Sequence, residues 1–228
     1  MLERVKSGIP GLDKAIGGGF IKNSINLLSG GTGTGKTIFC LQFLYNGAKD
    51  MKEKGVYISF EETEDELRTD AAEIGLDFKD VGEKVKFVYI PPYSLTDFTS
   101  VLRSKVITFG PQRVVIDSLS ALTMPLEDDF ERKKEIFRIN ELLKELECTT
   151  ILTSEIPSEA AGQETSSMFS RFGIEEFLCD SVIVLHYAGL GGEDDRAVRV
   201  VKMRRSNHTK NILPMKIAQG GVKVGSGK

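Results

Sequence analysis

The stretch Gly30-Gly31-Thr32-Gly33-Thr34-Gly35-Lys36-Thr37 limits what this chain can fold into more than any other. Its G-x-x-x-x-G-K-[ST] pattern has a physical content: glycines let backbone N–H groups turn inward around phosphate oxygens, the lysine supplies a point charge, and the final hydroxyl ligates Mg²⁺. An apolar run, Ile25 to Leu28, precedes it, and Phe39, Leu41, Phe43 and Leu44 follow at helical spacing. Strand, glycine loop and helix in that order aim a helix N-terminus at an anion. Gly31, Thr32, Gly33, Thr34, Gly35, Lys36, Thr37 and Ile38 are therefore the expected nucleotide contacts, with Thr37 also at the metal.

The rest of the chain alternates in the same way. Val56–Phe60, Val85–Ile90, Arg113–Ile116, Thr149–Thr153 and Ser181–Tyr187 read as strands. Helices are expected near 36–50, 64–75, 96–108 and 131–147, the last carrying Ile136, Ile139, Leu143 and Leu146 on one face. Such alternation implies an α/β fold with a mostly parallel central sheet flanked by helices. Ala197–Met203, Leu213–Ile217 and Gly221–Val224 read instead as short strands joined by turns, an antiparallel C-terminal extension. The 228 residues suit a single domain, with a short flexible tail expected from about residue 220.

Three further features carry chemistry. Val114-Val115-Ile116-Asp117 is an apolar strand ending in a carboxylate, and Asp117 at that edge would hold the Mg²⁺ water shell beside the phosphate loop. Glu61 and Glu62 follow a strand, where a carboxylate can orient and deprotonate water. The same pair also reads as a helix start, with Thr63 and Glu66 forming a capping box. Lys202 and Arg204 alternate on a strand and so share a face, as a solvated basic hairpin, as cations delivered across a subunit boundary, or as a nucleic-acid patch.

Together these segments resemble the RecA-like P-loop ATPases of the KaiC branch. The resemblance rests on Ser7-Gly8-Ile9-Pro10-Gly11-Leu12-Asp13-Lys14, Gly17-Gly18-Gly19-Phe20, the phosphate loop, Ser59-Phe60-Glu61-Glu62, Val115-Ile116-Asp117-Ser118, Arg171-Phe172-Gly173-Ile174-Glu175-Glu176 and Lys202-Met203-Arg204. It runs from about residue 4 to about 218 and implies a RecA-like fold, Mg²⁺-dependent ATP hydrolysis and a ring, typically hexameric, with ATP between subunits. It further implies Glu61 as catalytic glutamate with Glu62 beside it, and Thr37 and Asp117 at the metal. Lys202 and Arg204 would then reach the neighbour's γ-phosphate, with Ser206 and His208 as further contacts to that nucleotide. KaiC carries two such domains, and its second is phosphorylated on a Ser-Thr pair where this chain has Glu176-Phe177, so autophosphorylation is not expected.

The alternatives are a RecA/RadA-type single-stranded DNA-binding protein and a nucleotide-gated binding module with little turnover and an unidentified protein partner. The loop from Ile156 to Gly173 offers only Glu159, Glu164 and Arg171 as charges, and Glu127, Asp128 and Asp129 are acidic. A phosphate-tracking groove needs several cations, so nucleic-acid binding is expected to be weak. The formal charge of −3 agrees. Three scattered cysteines, no apolar leader and no membrane-length run point to a reducing, cytoplasmic setting without membrane contact.

Overall fold

The computed structural model describes residues 2–91, 98–123, 126, 128–156, 169–189 and 195–225. Two short strands, β1 (Arg4–Val5) and β2 (Phe20–Ile21), pair antiparallel around a one-turn helix, α1 (Leu12–Ala15). Then come β3 (Ile25–Gly30), α2 (Lys36–Asp50), β4 (Gly55–Ser59), α3 (Glu64–Glu73), β5 (Val85–Tyr89), α4 (Phe98–Phe109) and β6 (Arg113–Asp117). After α5 (Leu119–Thr123), α6 (Asp129–Glu145), β7 (Thr149–Glu155) and α7 (Glu175–Leu178) come β8 (Ser181–Tyr187), β9 (Arg196–Met203), β10 (Leu213–Ala218) and β11 (Gly221–Val224).

Nine strands form one sheet in the order β11-β10-β9-β8-β3-β7-β6-β4-β5. From β8 to β5 every neighbour is parallel, and β9, β10 and β11 continue antiparallel. The expected C-terminal extension is present, but residues 221–224 are paired strand rather than the start of a tail at about 220. Residues 157–168, with Glu159 and Glu164, and residue Glu127 lie outside the described residues.

The central strands are buried on both faces, so their side chains feed two cores by simple alternation. Leu28, Tyr57, Val115, Ile151 and Ile183 face the core beneath α2 and α3, with Phe39, Phe43, Leu44 and Leu67. Leu27, Val56, Ile58, Val114, Ile116, Leu152 and Val182 face the core beneath α4 and α6, with Phe98, Leu102, Ile136, Ile139 and Leu143. One buried cation crosses the packing: Arg113, wholly inaccessible, donates to Glu53 at 2.6 Å and to the Phe43 and Lys6 carbonyls at 2.8 and 2.9 Å. It ties the N-terminal segment and α2 to the start of β6. The same alternation puts Tyr57, Asp117 and Thr153 on the α2 face of three adjacent strands, Asp117 at the carboxyl end of β6 and Tyr57 in the middle of β4, opposite Val115.

A candidate nucleotide site at the carboxyl edge of the sheet

β3 ends at Gly30 and the chain turns through Gly33 and Gly35, at φ 74° and 96°, into α2. Gly35 has two reasons to be glycine: its left-handed backbone, and the Ile217 Cδ1 atom that would lie 2.7 Å from any added Cβ. No side chain caps α2, and its first turn has no acidic residue, so the N–H groups and the positive end of its dipole face the loop. Lys36 folds over the loop and donates to the carbonyls of Gly30 and Gly31, both at 3.0 Å. Thr34 closes the loop on Gly31 O at 2.9 Å.

Asp117 is held by hydroxyls from three elements. Thr37 donates to Oδ2 at 3.3 Å, Thr153 donates to Oδ1 at 2.5 Å, and Tyr57 makes a short bond to Oδ2. Thr37 and Asp117 thus converge as the sequence predicts. A hydroxyl and one carboxylate are hard oxygen donors of the kind that hold Mg²⁺ together with substrate phosphates. Among the described residues no cluster of three or more His, Cys, Asp or Glu could hold a metal by itself. The residues present therefore fit a cation shared with a polyphosphate.

The two glutamates separate. Glu61 accepts from the hydroxyl of Ser118 at 3.1 Å, next to Asp117. Glu62 lines an open cleft of about 630 Å³ beside the loop, together with Lys36 and Thr37. Burial, and then the Asp117 charge, push its carboxyl up from 4.5 to about 7. The backbone N–H groups of both are held by Ser59 Oγ, at 3.3 and 2.9 Å. The capping box also forms, with Thr63 and Glu66 satisfying each other's backbone N–H at the start of α3. Helix-start chemistry and a carboxylate near the phosphate loop coexist.

Lys202 and Arg204 are not brought to this chain's own loop. Lys202 donates to the carbonyls of Glu176 and Cys179, both at 2.7 Å, and Arg204 to that of Phe177 at 3.0 Å. Both cations share one face, as expected, and cap the C-terminal end of α7. Burial, and then Arg204, lower the pKa of Lys202. The Arg204 N–H bonds to Asp180 O, whose side chain accepts from Ile25 N at the start of β3. The five steps from Ile25 to Gly30 span about 16 Å of strand, and α7 lies on the face opposite α2. Ser206 and His208 also sit away from the loop. Ser206 bonds to Ile16 O and Arg4, while buried His208 donates Nδ1–H to Thr209 O and accepts from Lys210 at Nε2. Arg171 pairs with Glu155 at 3.3 Å.

Arg196, absent from the sequence expectations, is the second cation beside the loop. It lines the cleft, stacks 4.1 Å over the Tyr187 ring and donates to Gly33 O at 3.3 Å. Its Nε is buried without a partner among the described residues. The antiparallel register sets Arg196 opposite Tyr187, which only the sheet reveals. Ile38, Leu41 and Ile217 give the cleft an apolar wall, and Asp70 and Glu73 from α3 an acidic rim.

Comparison with known proteins identifies the family and the fold. The chain matches the family described as "ATPase: KaiC" across residues 5–228. The circadian clock oscillator protein KaiC of Parasynechococcus marenigrum is 29% identical over 98% of this chain, which spans only 45% of that protein's length. The UPF0273 protein PH0284 of Pyrococcus horikoshii is 33% identical, with 98% of this chain covering 94% of it. The crystal structure of the KaiC-like protein PH0186 from the same archaeon superposes with a TM-score of 0.86 at 37% identity, covering 99% of this chain and 100% of the other. The sheet, parallel at its centre with an antiparallel C-terminal extension, is the RecA-like fold of a KaiC-type ATPase domain, and the chain belongs to the KaiC ATPase family.

Proposed function

We propose that this chain binds ATP with Mg²⁺ and hydrolyses it at interfaces between its own copies, arranged as a ring of hexameric type. One observation carries the reading. Lys36, Thr37, Asp117 and Glu61 gather at one end of the sheet, while Lys202 and Arg204 lie at the other end and on the other face. Among the described residues the cleft is lined by two cations, Lys36 and Arg196, against Glu62, Asp70 and Glu73. That balance does not neutralise a triphosphate, and in this reading a metal and a second copy supply the further positive charge. Phe177, 70% exposed beside Lys202 and Arg204, is an apolar surface that such a neighbour would cover.

In this reading the loop N–H groups and Lys36 bind the phosphates, Arg196 adds charge at Gly33, and the apolar wall of Ile38, Leu41 and Ile217 seats the base. Mg²⁺, held by Thr37 and Asp117, would neutralise charge on the β- and γ-phosphates. Glu61, fixed by Ser118, orients a water and takes its proton as the oxygen attacks the γ-phosphorus and the bond to ADP breaks. The neighbour's Lys202 and Arg204 stabilise the transferring group, whereas Ser206 and buried His208 are already bonded within their own chain and take no part. Turnover then reports assembly, which suits a regulatory ATPase acting on a protein partner in the cytoplasm. Among the described residues no helix is long and apolar enough to cross a membrane.

The test is a concentration series. Turnover per chain should rise with assembly, measured by light scattering on the same samples. A monomer fully active at every dilution would overturn the interface reading.

A further inference from the structure

Tyr57 is wholly buried in the middle of β4, its ring stacked on Phe87 at 5.8 Å and 23°. A phenylalanine would fill this place without the cost of desolvating a hydroxyl. The hydroxyl goes to one partner, Asp117 Oδ2, the same oxygen that Thr37 meets at 3.3 Å. Thr153 occupies the other carboxylate oxygen at 2.5 Å.

We infer that Tyr57 is a positioning residue that sets which divalent cation the Asp117 site prefers. The inference rests on the proposed metal role of Thr37 and Asp117. A carboxylate offers about four lone-pair sites. Thr153 takes one on Oδ1, and Tyr57 takes one on Oδ2 that stays taken when the Thr37 hydroxyl turns to a metal. The carboxylate is then fixed in rotation and partly neutralised. It accepts readily from a water carried by the cation and is a poor direct ligand. Mg²⁺ keeps several of its waters, whereas Mn²⁺ and Ca²⁺ give them up more readily for direct oxygen ligands. The Tyr57 hydroxyl therefore favours Mg²⁺. Phe87 and the α2 core hold the ring whether or not the hydroxyl is present.

The test uses Tyr57→Phe and the intact chain, each loaded with a non-hydrolysable ATP analogue. Bound Mn²⁺ is read by electron paramagnetic resonance while Mg²⁺ is titrated in as competitor. The variant should keep its melting temperature and its metal-free nucleotide affinity. It should need about tenfold more Mg²⁺ to displace the same Mn²⁺, the scale on which outer partners of a metal site act. An unchanged Mg²⁺:Mn²⁺ preference would reduce Tyr57 to packing and overturn the inference alone. If Asp117→Asn binds Mn²⁺ like wild type, the metal reading fails first and takes the inference with it.

Discussion

Glu62→Gln isolates one charge in the cleft. In the free protein burial and the nearby Asp117, Asp70, Glu61 and Glu66 charges raise the carboxyl to about 7, so it is about half ionised at pH 7 and about nine-tenths ionised at pH 8. It lines the same cleft as Lys36 and Thr37, where the phosphates bind in our reading. Nucleotide brings more negative charge to that place and pushes the carboxyl higher still. The sign follows: the complex holds a proton that the free protein has begun to release, so affinity is greatest below pH 7 and falls as pH rises. A further rise of about one unit means about half a proton taken up near pH 7.5 and about tenfold weaker binding at pH 9 than at pH 6. Calorimetry in two buffers of different ionisation heat measures the uptake directly. Glu62→Gln should abolish it and bind more tightly than wild type at pH 9. The nucleotide's own titration cancels in the comparison. Equal uptake by both proteins would show that Glu62 does not sense the phosphates.

Lys36→Ala should abolish binding of a labelled ATP analogue while the fold persists, because a charge-assisted phosphate contact is worth about 2–3 kcal/mol or more; unchanged affinity would remove the loop from the site. Glu61→Gln should bind ATP normally and turn over far more slowly, and if Glu62→Gln is the dead variant instead, the cleft carboxylate is the base. Gly35→Ala should lower stability by about 1–3 kcal/mol in urea melts, since a side chain there meets both a left-handed backbone and Ile217. Arg113→Ala should cost about 3 kcal/mol or more, because it strands Glu53 and the buried Phe43 carbonyl and frees the Lys6 carbonyl.

Much of this architecture could be read from the residues because parallel strands buried on both faces are continuous apolar runs. Ser181–Tyr187 and Gly221–Val224 match their expected limits, and the α2 and α6 helices begin within two residues of expectation. The two-residue strands β1 and β2 and the single-turn helices α1, α5 and α7 were not anticipated, since such short pieces carry no period and depend on packing. The site divides in the same way. The loop and Asp117 announce themselves by local pattern. Tyr57, Thr153 and Arg196 do not, because each acquires its meaning from the strand beside it. The local anchoring of Lys202 and Arg204 on α7 likewise emerges only from the fold, since their spacing alone gives the shared face and not what it touches.

The claim at the centre of this account is that one active site needs two chains. It is tested most directly by mixing two inactive proteins, Glu61→Gln and Arg204→Ala, and measuring ATP turnover after mass measurement has shown mixed rings. An interface that takes its loop and Glu61 from the Arg204→Ala chain, and its arginine from the Glu61→Gln chain, is intact. Random mixing at equal amounts makes about a quarter of head-to-tail interfaces of this kind, so about a quarter of wild-type activity should return. Mixed rings that remain inactive would place both residues in the service of a single chain's site and contradict the account.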